Sequence, residues 1–526
     1  MSRNIFILDS TLRDGGYCNN WEFGAENKKK IVSGLIESNV DIIECGMLSQ
    51  GIFSENQSKY LNLYAISEFL PKEQLKKKMY VVLMNYGDYD VSDLPESNKT
   101  EIDGIRVAFH KKDVKEAVKV MKKIKEKNYK VFMQPMVTVT YSTEEYVNLI
   151  EYANELKPYS FYIVDSFGSM KSDELKKYCD LASYLLSEDI ILGLHTHNNL
   201  QLAFSNAQLF EKETAMRSSI IDCCIMGMGR GAGNLNTELF LNYLNMSCSK
   251  SYNIEPILTI IDEIINIFYQ RKYWGYSLPN YLSASHNIHP NYGTFLADKN
   301  TLTISMINEL FSLISVEKKN TFDKKYIEEL YVSYMSANNL KNKVGDSLKE
   351  IFEDKEVLII APGKSVDTEI DRIQSFVKEK NVMVVCINFD FKMVKTDYIF
   401  ISNPKRYEEL DATNRTNIIV TSNVVTEQKH IVVDYLELLC NEEYVRDNSA
   451  MMLIKLLINS GASKIYLAGV DGYGEEIREN YTKYSNTLVT SSEYMNHMNN
   501  GMNAAIHKYM SEINIQFVTT EKRIKR

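Results

Sequence analysis

The chain has 526 residues, a net charge of −9 at pH 7 and 44% hydrophobic residues, a composition typical of a globular protein with a sizeable core. The net negative charge argues against nucleic acid as a bulk partner, because neutralising phosphates requires clustered Lys and Arg. No run of the roughly 18 apolar residues that a membrane span needs occurs, so no membrane partner is expected. At about 150 residues per domain, two or three domains are expected.

Short apolar runs alternate with amphipathic stretches from Asn4 to about Asn245. Such alternation predicts parallel strands joined by helical crossovers. The number and length of the units match a (β/α)8 TIM barrel, with a doubly wound open sheet as the competing fold. The candidate strands are NIFILD, DIIECG, MYVVLMN, GIRVAFH, KVFMQPMVTVT, SFYIVDS, IILGLHTH and IIDCCIMGMG.

The rest of the chain divides into two further predicted domains. Residues 251–345 begin as a helical pattern and become aromatic and irregular, which predicts a small helical subdomain after a barrel over 1–250. A second alternation of strands and helices starts at VLIIAPGKSV and predicts a Rossmann-like α/β domain over 355–526.

The stretch LHTHNN places His195 and His197, two of the chain's eight histidines, at the end of candidate strand seven. Residues i and i+2 of a strand share a face, so both imidazoles can reach one point. Two hydrogen-bonded histidines that line a barrel are the alternative interpretation.

Closing a barrel brings the ends of strands one, seven and eight together. Strand one ends in LDSTLRDGG, with Asp9, Arg13 and Asp14, and strand eight ends in GMGRGAGNLNTE, with Asn234 and Glu238. Imidazoles, a carboxylate and an amide oxygen form a mixed set that suits Mn²⁺, Mg²⁺, Co²⁺ or Zn²⁺, and Mn²⁺ is the first expectation. The glycines of GMGRGAG favour a tight loop that lets the backbone approach Asn234.

These three motifs, in this order, resemble the pyruvate carboxyltransferase or HMG-CoA-lyase-like superfamily of metal-dependent aldolases and acyltransferases over roughly residues 4–245. The resemblance implies that Asp14, His195 and His197 are metal ligands and that Asn234 is a further ligand. It also implies that Arg13 faces the oxygen of the bound substrate, which reacts through a metal-stabilised enolate.

Asn199-Leu200 stands where Claisen-type synthases have Asp-Leu-Gly, so the chain looks closer to the 4-hydroxy-2-oxovalerate aldolase branch. That branch carries a histidine, thought to be the general base, four residues after the arginine, where this chain has Tyr17. A tyrosine needs a pKa lowered from about 10 to move a proton. His289 and Tyr292 are alternative bases by position.

Other polar residues at strand ends receive smaller roles. Glu44 and Glu238 are expected to orient the residues that hold the metal. Thr138, Thr140 and Asp165 are candidates for binding the substrate, with hydrogen bonds to the barrel backbone as an equally open interpretation.

In the carboxyl-terminal domain, Gly363, Lys364 and Ser365 follow a strand and precede a helix, an arrangement that could hold the phosphate of a nucleotide or sugar phosphate. Asp390 and Asp471 end strands and offer a possible nucleotide or metal edge. A plain structural or oligomerising domain is the alternative.

The sequence therefore predicts an enzyme, a metal-dependent C–C lyase that acts on a 4-hydroxy-2-oxo acid. A Claisen-type acyltransferase that uses an acyl-CoA and a 2-oxo acid is one alternative, and a non-catalytic barrel that serves a nucleotide- or sugar-binding domain is another. Scattered cysteines without a CxxC pair and no evident signal peptide predict a cytoplasmic location. The chain is expected to form a homo-oligomer, and the resemblance suggests a dehydrogenase partner that takes a reactive aldehyde.

Overall fold

The computed structural model describes residues 4–71, 78–336, 347–410, 417–474, 476, 480–485, 492–520 and 523–524. The chain separates into two compact units, Met1–Asn291 and Tyr292–Arg526. The segment 251–345, which the sequence places in one helical subdomain, is divided between them. In the described part of the chain, no helix is both long and apolar enough to cross a membrane.

The first unit contains a closed barrel of parallel strands, which confirms the predicted fold of this region. Closure comes from pairing of the first strand with both the second and the last, for example Leu8 with Ile42 and Ile5 with Ser219. The barrel strands are β1 (Ile5–Asp9), β2 (Ile42–Leu48), β3 (Met79–Asn85), β4 (Gly104–Phe109), β5 (Lys130–Pro135), β6 (Ser160–Asp165), β7 (Ile191–Thr196) and β8 (Ser219–Cys223). A two-residue strand, Lys59–Tyr60, pairs with β2.

Amphipathic helices connect most of the barrel strands, as the three- to four-residue apolar spacing predicts. Ser142 and Glu145 form a reciprocal capping box at the start of one of them. The helices of this unit are α1 (Gly16–Asn19), α2 (Ala25–Glu37), α3 (Tyr64–Ser67), α4 (Val114–Glu126), α5 (Thr143–Leu156), α6 (Ser172–Leu185), α7 (Ala203–Glu213), α8 (Thr237–Ser247), α9 (Glu255–Ile260), α10 (Asn266–Arg271) and α11 (Leu278–Ser285). A π-helical turn, Ile261–Ile265, joins α9 to α10.

Two details of the barrel differ from the sequence pattern. The connection from β3 to β4 contains only the 3-10 turns Val91–Asp93 and Ser97–Lys99, because its Asp, Ser, Asn and Pro residues favour turns over a helix. The predicted fifth strand also stops early, at Pro135, and Thr138–Thr140 form a 3-10 turn after a left-handed Val137.

The second unit contains a seven-stranded parallel sheet, which confirms a second α/β region. Its strands are β9 (Glu356–Ile360), β10 (Met383–Ile387), β11 (Tyr398–Ile401), β12 (Ile418–Thr421), β13 (Ile431–Val433), β14 (Lys464–Ala468) and β15 (Ile515–Phe517). They lie in the order β13-β12-β11-β10-β9-β14-β15, so the direction in which strands are added reverses between β13 and β14.

The helices of the second unit range from one turn to nineteen residues. They are α12 (Pro290–Lys299, which begins two residues before the boundary), α13 (Ile304–Leu313), α14 (Lys324–Ser336), α15 (Ser347–Phe352), α16 (Ser365–Thr368), α17 (Ile370–Glu379), α18 (Pro404–Glu409), α19 (Tyr435–Leu438), α20 (Ser449–Asn459) and α21 (Ser492–Met510).

Arg217 lies just before β8 and links this strand by hydrogen bonds to the end of α6. Its guanidinium donates to the carbonyl oxygens of Ala182 and Ser187 at 3.0 Å and of Ile190 at 2.6 Å. We expect Arg217→Met to lower the free energy of unfolding by about 2–3 kcal/mol, because these partly buried carbonyls lose a charged donor. Urea denaturation measures the change, with the exposed Arg271→Met as control. A loss below about 0.5 kcal/mol, the usual effect of a surface change, would contradict the proposed link.

Candidate active site

Three side chains with metal-ligand chemistry meet at the carboxyl ends of the barrel strands. Asp14 follows β1, His195 is the penultimate residue of β7 and His197 lies just beyond that strand. The Nε2 atoms of His195 and His197 lie 3.1 and 3.5 Å from Asp14 Oδ2. Within the described ranges, this is the one group of three His, Cys, Asp or Glu side chains whose ligand atoms lie within 4.8 Å of one another.

Each imidazole is oriented by a partner on its other nitrogen. His195 Nδ1 lies 3.0 Å from Asp222 Oδ2, and His197 Nδ1 lies 3.3 Å from the carbonyl oxygen of Arg230. A proton on Nδ1 leaves Nε2 as the free electron pair, which is the usual outer arrangement of metal-binding histidines. Both Nε2 atoms therefore face the Asp14 carboxylate in a form suited to bind a cation.

The pKa values of the three groups follow from burial and charge. Burial lowers the pKa of His197 to about 3, so its ring is neutral. Burial also opposes charge on His195, but its hydrogen bonds to the Asp14 and Asp222 carboxylates outweigh burial and raise the pKa of His195. For Asp14, burial is outweighed by Arg13 and the two imidazoles, which hold its pKa well below the ordinary value.

Asn234 adds an oxygen to the same region. Its Nδ2 donates to the carbonyl oxygen of Met228 at 3.1 Å, while its Oδ1 is buried and has no hydrogen-bond partner among the described residues. A Cβ at Gly229 would lie 2.0 Å from Asn234 Nδ2, so only glycine permits this approach. A buried acceptor without a donor fits a cation, and so does the mixed set of imidazole and carboxylate ligands beside it.

A closed ring of charged side chains surrounds these groups in the barrel interior. Arg13 Nε lies 2.9 Å from Glu44 Oε2, and Glu44 Oε1 lies 2.9 Å from Arg106 Nη1. Arg106 Nη2 pairs with Asp222 Oδ2, the oxygen that also contacts His195. Asp14 closes the ring, because Arg13 Nη1 lies 3.3 Å from its Oδ1.

The ring members are buried, with Arg106 fully inaccessible and Arg13 only 8% exposed. Isolated buried charges are expensive, so each arginine needs its two carboxylates. Burial opposes charge on both guanidiniums, but the carboxylates raise the pKa of Arg13 and of Arg106 above the ordinary value. Tyr162 donates to Asp222 Oδ1 at 2.9 Å, so both oxygens of that carboxylate have a partner.

The remaining carboxylates predicted to act nearby accept hydrogen bonds from neighbouring backbone amides or from a hydroxyl group. Glu238 accepts from the Met226 amide, and Asp165 accepts from the amides of Ser169 and Met170. Burial raises the pKa of Asp165 to about 6 in spite of these bonds. Asp9 accepts from the Thr237 hydroxyl at 2.6 Å and lies outside the ring.

The two threonines after β5 are also bonded to the main chain. Thr138 Oγ1 donates to the carbonyl oxygen of Pro135 and accepts from the Val164 amide. Thr140 Oγ1 donates to the carbonyl oxygen of Val137 at 2.8 Å.

Arg230 has both candidate bases of the first unit as neighbours. Its guanidinium carbon lies 5.5 Å from the centre of the Tyr17 ring, and its Nη1 lies 3.3 Å from His289 Nε2. His289 Nδ1 accepts from the Asn291 amide. Burial, followed by the charge of Arg230, lowers the pKa of His289 to about 2, so the ring is neutral. Tyr292 begins the second unit, where its hydroxyl donates to the carbonyl oxygens of Lys318 and Thr321.

Gly363, Lys364 and Ser365 lie in the second unit, at the turn between β9 and α16. The Gly363 amide donates to the carbonyl oxygen of Gly469, and Lys364 Nζ lies 2.9 Å from Asp367 Oδ2. Ser365 donates from its amide and its hydroxyl to Asp471. These hydrogen bonds and the Lys364–Asp367 ion pair therefore stabilise the turn.

Sequence reasoning did not single out Arg106, Asp222 or Arg230. A signal was present for the first two, since each is the one charged residue within an otherwise apolar strand, IRVAF and SIIDC. Charges in such positions need a buried partner. Arg230 gave no comparable signal, because an arginine in a glycine loop is ordinarily exposed.

Comparison with known proteins places residues 4–263 in the family described as HMGL-like. The chain is 27% identical over 271 residues to a 4-hydroxy-2-oxovalerate aldolase of Geobacillus thermodenitrificans, covering 50% of this chain and 76% of that protein. It is 27% identical over 277 residues to a protein of the same name from Carboxydothermus hydrogenoformans, covering 50% of this chain and 78% of that protein.

Among solved structures, Rhizobium etli pyruvate carboxylase matches with a TM-score of 0.50 and 14% identity, covering 66% of this chain and 38% of that one. At this identity the likeness shows the fold alone. The family match contains the predicted strand-end motifs that supply Asp14, His195 and Asn234. Residues 4–263 of this chain therefore match the HMGL-like family.

Proposed function

We propose that the barrel is a divalent-metal-dependent aldolase that cleaves a 4-hydroxy-2-oxo acid through a pyruvate-type enolate. The observation that carries this proposal is the pair of imidazoles, each held through Nδ1, whose Nε2 atoms face Asp14 beside Arg13. Relatives named 4-hydroxy-2-oxovalerate aldolase support the substrate class.

Asp14, His195 and His197 would hold the metal, with Asn234 Oδ1 as a further ligand. Mn²⁺ is our first choice, and Mg²⁺, Co²⁺ and Zn²⁺ suit the same mixed ligand set. When bound, the cation would supply positive charge to the carboxylate and keto oxygens of the substrate.

Arg13 would stabilise the charge that develops on the 2-oxo oxygen. Glu44 and Asp14 hold its Nε and Nη1, so the guanidinium is positioned before the substrate arrives. Its remaining N–H groups can donate to an oxygen that gains charge as the bond breaks, and a preorganised donor needs no rearrangement at that moment.

Cleavage also requires a base that takes the proton of the 4-hydroxyl. The electrons of the C3–C4 bond then form the enolate, the aldehyde leaves, and protonation at C3 gives the 2-oxo acid. We propose His289 as this base, because its ring is neutral and lies beside Arg230, whose carbonyl oxygen contacts His197. Tyr17, also next to Arg230, is the second candidate.

We also infer that the second unit is Rossmann-like, because parallel strands alternate with helices and the strand order reverses beside β9. A homo-oligomer and a dehydrogenase that receives the aldehyde remain proposals that rest on the family resemblance. Analytical ultracentrifugation of the chain alone, and with a candidate dehydrogenase, tests both.

The main test follows pyruvate release from a panel of 4-hydroxy-2-oxo acids, with and without Mn²⁺. The wild type is expected to release pyruvate only with metal, and His195→Ala should lose more than the roughly 100-fold that removing an outer partner costs. Thiol release from acetyl-CoA with a 2-oxo acid, without pyruvate formation, would support the Claisen-type alternative. A wild type that binds no divalent metal would refute the proposal.

Asp222→Asn tests the orientation of His195. The amide fills the same space without the carboxylate charge, so Mn²⁺ affinity should fall by about 10–100-fold. Isothermal titration calorimetry measures the affinity, and circular dichroism verifies the fold. Asp180→Asn, an exposed carboxylate on α6, is the matched control. Equal affinities in the two variants would contradict the role of Asp222.

The choice of base is tested by His289→Ala and Tyr17→Phe. Loss of the base should lower kcat by about 10²–10⁴-fold while Mn²⁺ affinity stays unchanged. We expect this loss in His289→Ala and less than about a tenfold loss in Tyr17→Phe. His286→Ala, from the same segment, is the control. The opposite pattern would assign the proton transfer to Tyr17.

A further inference from the structure

A cleft lies in the second unit, where its strand order reverses. Its walls include the turn after β9 at Gly363 and the turn after β14 at Gly469–Gly472. The cleft has a cavity volume of about 130 Å³ and is partly open to solvent. In open parallel sheets, ligands bind outside the carboxyl ends of strands at such a reversal. The position of the cleft at this reversal therefore indicates a ligand site that is separate from the candidate site of the barrel.

Two carboxylates in the cleft lining accept hydrogen bonds from neighbouring residues. Asp471 accepts from the Ser365 amide and hydroxyl, and Asp447 accepts from the hydroxyls of Tyr331 and Tyr435. These carboxylates thus carry internal hydrogen bonds.

Arg406 supplies positive charge to the cleft wall, where it is only 3% exposed. Its Nη1 pairs with Glu409, and its guanidinium carbon lies 5.4 Å from the centre of the Tyr481 ring. A guanidinium has five N–H donors in a planar fork, so the contacts with Glu409 and the Tyr481 hydroxyl leave donors for an anionic ligand.

Asn388 contributes an acceptor that lacks a donor. Its Nδ2 donates to Ser449 Oγ at 2.8 Å, and its Oδ1 is buried without a hydrogen-bond partner in the described part of the chain. A buried acceptor without a donor is unfavourable, so a ligand N–H or O–H would be stabilised there. The left-handed backbone at Asn388, with a φ of 59°, holds the side chain at the end of β10.

Ser449 begins α20, an eleven-residue helix. Its hydroxyl accepts from both Asn388 Nδ2 and Ser402 Oγ, so its own proton remains to donate. Asn448 Oδ1 caps this helix by accepting from the Ala450 and Met451 amides, so an anion would be attracted by the helix dipole together with the Ser449 hydroxyl. An unmet acceptor, a hydroxyl donor and a helix start thus lie side by side.

Flat aromatic rings complete the cleft. Tyr444, Tyr473, Tyr481 and Tyr494 are among its lining residues. Tyrosine rings bind planar heterocycles by stacking and retain a hydroxyl for hydrogen bonding.

We propose that this cleft binds a nucleotide. The phosphate is received by Arg406 and by Ser449 at the start of α20, a ribose hydroxyl or base N–H donates to Asn388 Oδ1, and the base packs against the tyrosine wall. The ligand class follows from one anion-binding edge, one unmet acceptor and an aromatic wall in a single cleft. The turn residues Lys364 and Ser365 are not in this lining.

Calorimetry on the full-length chain tests the proposal, with AMP, GMP, CMP, UMP, ribose 5-phosphate and inorganic phosphate as probes. At least one nucleotide should bind more than about tenfold tighter than inorganic phosphate. Asn388→Asp places a negative charge beside the phosphate, and Ser449→Ala removes one donor. Each should weaken nucleotide binding by about tenfold or more, the effect of one charge-assisted hydrogen bond.

Lys395→Gln is the control and should leave nucleotide affinity unchanged, because Lys395 is 91% exposed and lies outside the cleft lining. Thermal melting shows whether each variant is folded, and Mn²⁺ binding at the barrel should be unaffected in all of them. Failure of every nucleotide to bind the wild type, inorganic phosphate as tight as the nucleotides, or equal affinities in folded Asn388→Asp, Ser449→Ala and Lys395→Gln would each overturn the proposal.

Discussion

The barrel depends on positively and negatively charged side chains that alternate around a buried ring in its interior, where water is excluded. Arg106 cannot be buried in the barrel without Glu44 and Asp222, and those carboxylates also hold Arg13 and His195. Since the members come from β2, β4, β7, β8 and the loop after β1, the ring is complete only when the barrel closes. Folding of the barrel itself therefore brings the proposed catalytic groups together. The same coupling means that removing one carboxylate leaves two cationic or imidazole partners uncompensated.

Packing and chemistry use different layers of the same strands. Apolar side chains between the strands and the helices form the main core, while the polar ring occupies the interior near the strand ends. Tyr162 and Gly193 show how the layers meet: the tyrosine ring lies where a Cβ at position 193 would stand, and its hydroxyl reaches Asp222. A small residue on one strand thus makes room for the group that completes a carboxylate on another.

Much of the fold was predictable, because the period of the apolar residues changes between strand and helix along the whole chain. The connection from β3 to β4 was not, since residues that favour turns replace a helix there. At the site, His195 and His197 were found because two imidazoles on one strand face are rare. Arg106 and Asp222 were missed, because pairing between distant strands cannot be read from spacing alone.

His289 lies beyond the segment that matches the HMGL-like family, which ends at residue 263. The barrel carries the proposed cation ligands and Arg13, whereas His289, the neighbour of Arg230, comes from the turn between α11 and α12. In the proposed mechanism the cation ligands and the base therefore come from separate segments, so a change in this short turn would alter the proton transfer while leaving the cation site intact.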